Sequence, residues 1–268
     1  MANRIDTTLQ RLKNAGETAL VPFVTVGFPD MATSEALAQT ILESGGDMLE
    51  LGIPFSDPLA DGPTIQMTSF RALENGATLG KSLEMLKSLR EKGVDAPLIF
   101  MGYYNPFLRY GIEKFLQESE DAGLDGIIVP DLPTEESTEF RQACESHGIH
   151  VIPLLAPTSP DSRIADACKG ASGFIYCVSL TGVTGARQSL SSGLSGLVGR
   201  IRQHTDLPVI VGFGISRHEH IQEIGQFADG AVVASALLDA IDKSPPEDAQ
   251  NTARQFVRGL RGLNGESS

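Results

Sequence analysis

Three carboxylates fall in one short stretch, Leu49-Glu50-Leu51-Gly52-Ile53-Pro54-Phe55-Ser56-Asp57-Pro58-Leu59-Ala60-Asp61-Gly62. Glu50 stands inside an apolar, strand-like run. Asp57 and Asp61 follow on a loop punctuated by proline and glycine. An apolar setting disfavours the ionised form of a carboxyl group, and neighbouring carboxylates raise each other's pKa. Proton exchange near neutral pH needs groups tuned in that way. Two plainer readings compete. A strand glutamate can salt-bridge or point to solvent between helices. Asp61, just before Gly62-Pro63 and a helical pattern starting near Thr64, equally suits a turn or a helix start. Asp57, before Pro58, reads as a loop residue.

A second kind of chemistry is suggested further along. Gly182, Gly185, Gly212 and Gly214 lie on loops after apolar runs, where a missing side chain lets backbone N–H groups approach an anion. Ser235 is placed to open a helix whose N-terminus would face the same spot. Tight packing is the competing account of these glycines. His218 and His220 read as surface residues, and His147, His150 and His204 have no partner pattern. No lysine sits at an apolar-run end to form a Schiff base, and no metal-ligand cluster stands out. Cys144, Cys168 and Cys177 are odd in number and widely spaced, which suits buried free thiols better than a disulfide framework.

These groups need a scaffold. Eight short apolar runs read as strands: Leu20–Val26, Asp47–Leu51, Leu98–Met101, Gly126–Val129, Val151–Leu155, Gly173–Val178, Pro208–Gly212 and Gly230–Ala234. They alternate little between apolar and polar, as strands buried on both faces do. Helical patterns lie between most of them, such as Ser34–Glu43, Ser82–Glu91, Ile112–Ala122, Thr134–Ser146 and Glu219–Phe227. A weak repeat recurs at 43–51, 120–129, 169–176 and 227–233: a helix end, a small residue or glycine, then an apolar strand. About eight βα units of this form close most simply into a single (β/α)8 barrel, taken as one domain over 1–268. A doubly wound sheet is the alternative, but Val26-Gly27-Phe28-Pro29-Asp30 carries no dinucleotide fingerprint. Ile5–Leu12 reads as an extra N-terminal helix under the barrel, and Ala249–Leu260 as the last helix.

The active site of such a barrel lies at the C-terminal ends of its strands. That rule selects Glu50 and the loop to Asp61, then Met101-Gly102-Tyr103-Tyr104-Asn105-Pro106, Pro130-Asp131, Tyr176, Gly212-Phe213-Gly214 and Ala234-Ser235-Ala236. The formal net charge of −13 argues against nucleic-acid or anionic-membrane binding. It leaves room for a small anion at a local electropositive pocket. No signal-type apolar core opens the chain and no window approaches the roughly 18 apolar residues of a membrane span. A soluble, cytoplasmic protein is expected.

The 49–62 stretch closely resembles the signature of tryptophan synthase α subunits. The likeness is carried further by Pro22-Phe23-Val24-Thr25-Val26-Gly27, Tyr104-Asn105-Pro106, Val129-Pro130-Asp131-Leu132-Pro133, Thr181-Gly182-Val183-Thr184-Gly185 and Gly212-Phe213-Gly214-Ile215-Ser216, in order over nearly the whole chain. The resemblance implies a (β/α)8 barrel that cleaves indole-3-glycerol phosphate to indole and glyceraldehyde 3-phosphate by a retro-aldol reaction, in tryptophan biosynthesis. It implies that Glu50 is the general acid/base and that Asp61 holds the indole N–H. It further implies that Phe23, Ile128, Tyr176 and Thr184 line the substrate site, and that Gly185, Phe213, Gly214, Ala234 and Ser235 cradle the phosphate. No cofactor is implied for this chain. A β subunit carrying pyridoxal phosphate, in an αββα complex, is the implied partner, facing the loops Pro54–Asp61 and Asn105–Leu108. Two departures stand out: Ala234-Ser235-Ala236 where relatives have Gly-Ser-Ala, and an unfamiliar stretch from Ala186 to Gly193. A free-standing indole-3-glycerol phosphate lyase shares these motifs. A non-catalytic activating subunit and another phosphate-binding barrel fit them less well.

Overall fold

The computed structural model describes residues 2–178, 187–212 and 214–263, with the backbone alone for 187–192. Nine short strands form one parallel sheet: β1 (Ala19–Thr25), β2 (Leu49–Gly52), β3 (Leu98–Met101), β4 (Gly126–Ile128), β5 (His150–Val151), β6 (Leu154–Leu155), β7 (Ile175–Val178), β8 (Val209–Gly212) and β9 (Gly230–Val233). Their spatial order is β5-β4-β3-β2-β1-β9-β8-β7-β6. The two ends of that order are consecutive in the chain. Between them, Ile152 N–H donates to Ile127 O at 2.9 Å and Pro153 O accepts from Tyr176 N–H at 3.0 Å. β5 and β6 are thus two halves of one stave, and the sheet closes through it into an eight-stave barrel. The sequence suggests one unbroken strand, Val151–Leu155. The ladder splits because Pro153 has no N–H to give.

The helices are α1 (Arg4–Ala15), α2 (Met31–Glu43), α3 (Pro63–Glu74), α4 (Leu79–Glu91), α5 (Tyr104–Tyr110), α6 (Ile112–Ala122), α7 (Thr138–Ser146), α8 (Asp161–Cys168), α9 (Arg187–Ile201), α10 (His218–Ile224), α11 (Ser235–Lys243) and α12 (Ala249–Leu260). α7 is shorter than the expected Thr134–Ser146. Ser137 Oγ donates back to Thr134 O at 2.9 Å and closes a separate 3₁₀ turn there. α1 is the extra helix. Asn3 accepts from Ile5 N–H at 2.8 Å to start it, and Gly16, at φ 67°, ends it. Its Ile5, Leu9 and Leu12 fall on one face and join Val21, Met48, Ile99, Ile128, Phe174 and Ile210 inside the barrel. The larger apolar cluster lies between the strands and the surrounding helices.

The sequence repeat has a physical meaning at the lower rim. Asp47, Asp125 and Asp229 stand just before β2, β4 and β9. Each carboxylate accepts from a backbone N–H of the preceding stave: Leu20, Leu98 and Val209, all at 2.8 Å. Each aspartate's own N–H returns a bond to the same residue's carbonyl. Each also pairs with arginine: Asp47 with Arg261, Asp125 with Arg90 and Arg4, Asp229 with Arg202. The fourth repeat places Ser172 at this position. Among the described residues its hydroxyl, shielded from solvent, has no partner.

Candidate active site

Strand alternation aims Glu50 inward. It lies in register with Phe23 on β1 and Ile99 on β3, while Leu49 and Leu51 face the helices. Glu50 is 0% exposed, and among the described residues neither carboxylate oxygen has a hydrogen-bond partner. Burial alone pushes its pKa up to about 8. At neutral pH this group therefore holds its proton and can release it to a base.

Asp61 arrives from the following loop. It does not cap α3: Gly62 is the capping residue, with no side-chain bond, and Pro63 opens the helix. Asp61 Oδ2 instead accepts from the Tyr103 hydroxyl at 3.1 Å. Burial raises its pKa to about 6, partly opposed by that bond. The turn-forming reading of Asp61 thus covers only its backbone, whose N–H donates to Pro58 O at 3.1 Å.

Tyr176 projects into the same space from β7 and is buried. Its phenol is held well above its ordinary pKa, by burial first and then by the charges of Glu50 and Asp61. A chamber beside these groups is lined by Phe23, Thr25, Ile65, Met101, Tyr103 and Asp61. Ile128, fully buried, belongs to the apolar packing within the barrel. Two glycines make room for aromatic rings. A Cβ on Gly52 would stand 2.3 Å from Phe23 Cζ, and one on Gly212 would stand 2.8 Å from the Tyr176 hydroxyl. Gly212 therefore serves packing here.

Two staves round the rim from β2, Ser235 opens α11 as expected, with Ala234 as the capping residue. The first-turn N–H groups of a helix have no acceptor within it, and they carry the positive end of its dipole. The methyl of Ala234 packs against the core cluster. Gly214 has φ 32°, and a Cβ there would meet no protein atom within 4 Å. Thr184, Gly185 and Phe213 lie outside the described residues, as do Gly182 and most of the stretch from Ala186 to Gly193 considered for its side chains.

Asp57 is exposed on the loop and accepts from Ser56 Oγ at 2.5 Å. The three cysteines are free and buried. His220 is not a surface residue: it is buried, and its Nδ1 accepts from Ser216 N–H at 3.2 Å. His218 is half-buried and bonds Leu260 O at 2.8 Å, tying α10 to α12. Sequence reasoning gave Tyr103 no role beyond its place at a strand end, and it did not single out Phe70, which is 62% exposed on α3. Among the described residues no group of three or more His, Cys, Asp or Glu side chains is placed to hold a metal ion. No helix among them is long and apolar enough to cross a membrane.

A closed parallel barrel with two carboxyl groups of raised pKa at the C-terminal ends of its strands has the architecture of a (β/α)8-barrel enzyme. The family model described as tryptophan synthase alpha chain matches residues 9–263. The chain is 51% identical to the tryptophan synthase alpha chain of Roseiflexus sp. (strain RS-1) over 97% of its length and 100% of that protein. It is 49% identical to the counterpart in Chloroflexus aurantiacus, over 96% and 97% of the two chains. The crystal structure of tryptophan synthase subunit alpha from Legionella pneumophila str. Paris superposes with a TM-score of 0.91 at 34% identity, covering 98% of each chain. The chain belongs to the tryptophan synthase alpha chain family, the carbon–carbon lyases of tryptophan biosynthesis.

Proposed function

We propose that this chain, acting as one barrel domain, cleaves indole-3-glycerol phosphate to indole and glyceraldehyde 3-phosphate through Glu50 and Asp61. The observation that carries the assignment is the buried, unpartnered carboxyl of Glu50 sharing a mouth with Asp61. Glu50 starts protonated and gives its proton to C3 of the indole ring. Asp61, ionised, holds the indole N–H and stabilises the positive charge that develops. Glu50, now a carboxylate, takes the proton of the glycerol hydroxyl as the carbon–carbon bond breaks. It ends the cycle protonated, as it began. Phe23, Ile128, Tyr176 and Thr184 hold the indole. The helix start at Ala234 and Ser235, with Gly185, Phe213 and Gly214, holds the phosphate.

The chemistry asks for no cofactor in this chain. The partner is a β subunit carrying pyridoxal phosphate in an αββα complex, within the cytoplasm. Leu59, at 92% exposure on the 54–61 loop, and Leu108, at 55% on α5 where a loop was expected, stand on the two segments expected to meet it, which favours the partnered reading over a free-standing lyase. The direct test is indole release from indole-3-glycerol phosphate with and without the β subunit. Glu50→Gln should cut kcat by about 100-fold or more, the usual contribution of a general acid–base group. Near-native turnover in that variant removes Glu50 from the mechanism. Full activity without the partner removes the dependence on it.

A further inference from the structure

Two residues at neighbouring strand ends, Tyr103 and Asp131, are not used by the roles above, yet Tyr103 is bonded to the loop that bears Asp61 and Asp131 to the backbone beside Tyr103. Tyr103 follows β3 and is the capping residue of α5. The next residue's N–H, that of Tyr104, donates to Asp131 Oδ1 at 2.8 Å, so the following stave's loop pins the backbone at this point. The Tyr103 ring is 5% exposed and packs on Phe55 with centroids 5.2 Å apart. Its hydroxyl accepts from Ala60 N–H at 2.9 Å and donates to Asp61 Oδ2 at 3.1 Å.

The hydroxyl has a single proton to give. An amide N–H can only donate, so it occupies a lone pair and leaves that proton to Asp61. Phe55, Ala60 and Asp61 are thus all held by one side chain from the adjacent stave. A bond to a carboxylate favours its ionised form, and it fixes which way the carboxylate faces.

We infer that Tyr103 is a positioning residue for this reaction: it holds the Asp61 carboxylate over the barrel mouth, with Asp131 bracing it through Tyr104 N–H. The inference rests on the role proposed for Asp61. Tyr103→Phe keeps the ring against Phe55 and removes only the hydroxyl. Indole release should be measured for the wild type, Tyr103→Phe, Asp61→Asn and the double variant, each with the β subunit present. Loss of a bond to a charged group should lower kcat/KM by about tenfold to a hundredfold. The acid limb of the pH profile should move upward, because the ionised form loses its donor. In the Asp61→Asn background the same change should cost less than about twofold, since residues acting as one unit are not additive.

An equal loss in both backgrounds with an unmoved acid limb overturns the inference and leaves Tyr103 a packing residue. Native activity in Tyr103→Phe overturns it as well. Native activity in Asp61→Asn is a different failure: it removes the role of Asp61 itself, and the inference falls with it.

Discussion

Replacing Glu50 by glutamine should make the protein more stable in alkaline solution while it destroys activity. The folded chain holds the Glu50 pKa at about 8, against 4.5 for the free group. Below 4.5 both folded and unfolded chains carry the proton, and there is no cost. Between 4.5 and about 8 the unfolded chain ionises and the folded one does not, so stability falls with rising pH. Above about 8 both are ionised and the loss stops growing. Each pH unit in that window costs about 1.4 kcal/mol, so the full penalty is on the order of 5 kcal/mol. Glutamine does not titrate. It buries an amide without partners, a cost of about 1–3 kcal/mol that does not vary with pH. The two stability curves should therefore cross: the variant equal or weaker near pH 5, and stronger above pH 8. A change of 1 kcal/mol moves the melting temperature of a chain this size by about 2–4 °C, so the difference between the two should swing by roughly 10 °C. Thermal melts followed by circular dichroism at pH 5, 6, 7, 8 and 9 measure it. Curves that stay parallel across that range refute the argument, because they show that Glu50 has the same affinity for its proton folded and unfolded.

The rate should follow a bell in pH. Below about 6 Asp61 takes up a proton and loses its hold on the indole N–H; above about 8 Glu50 has lost the proton it must give. A kcat/KM flat from pH 5 to 9 contradicts both assignments. Gly52→Ala puts a methyl where the Phe23 ring lies, so the ring must move into the chamber; KM should rise while the circular dichroism spectrum stays native. Asp125→Ala strands Leu98 N–H and removes the buried carboxylate that Arg90 and Arg4 share at the lower rim; it should cost about 3–5 kcal/mol in urea denaturation, with kcat per folded molecule unchanged. Leu59→Glu touches no core and should leave the isolated chain's melting temperature alone while weakening β-subunit binding by about tenfold in calorimetry.

The barrel was legible because its strands are apolar on both faces and their spacing leaves only helices between them. Ala249–Leu260 and Ile112–Ala122 are found at their expected limits, since each carries a strong amphipathic period. The break at Pro153 was visible as a residue but not as a consequence, because a proline can also sit at a strand end. The turn before α7 was hidden by a helical period that Ser137 interrupts through its own side chain. Glu50 announced itself by charge in an apolar run. Tyr103 did not, because a tyrosine at a strand end looks the same whether its hydroxyl holds a carboxylate or meets solvent. His220 reads as a surface residue for a similar reason: its partners include the backbone of Ser216 and the side chain of Arg217, close in the chain but set by the fold at the start of α10.

The aspartate clasps at Asp47, Asp125 and Asp229 leave one quarter of the ring without its fastening. That quarter holds Ser172 in place of the acid, and it holds the divided stave β5–β6, each half only two residues long. The barrel consequently has a seam. β1, the longest strand at seven residues, lies opposite the seam and pairs with both β2 and β9. Amide hydrogen exchange should run fastest in the staves flanking the seam and slowest across β1. The ring is an arc fastened at three points whose two ends join at residues 152 and 153, and it should open first at that join.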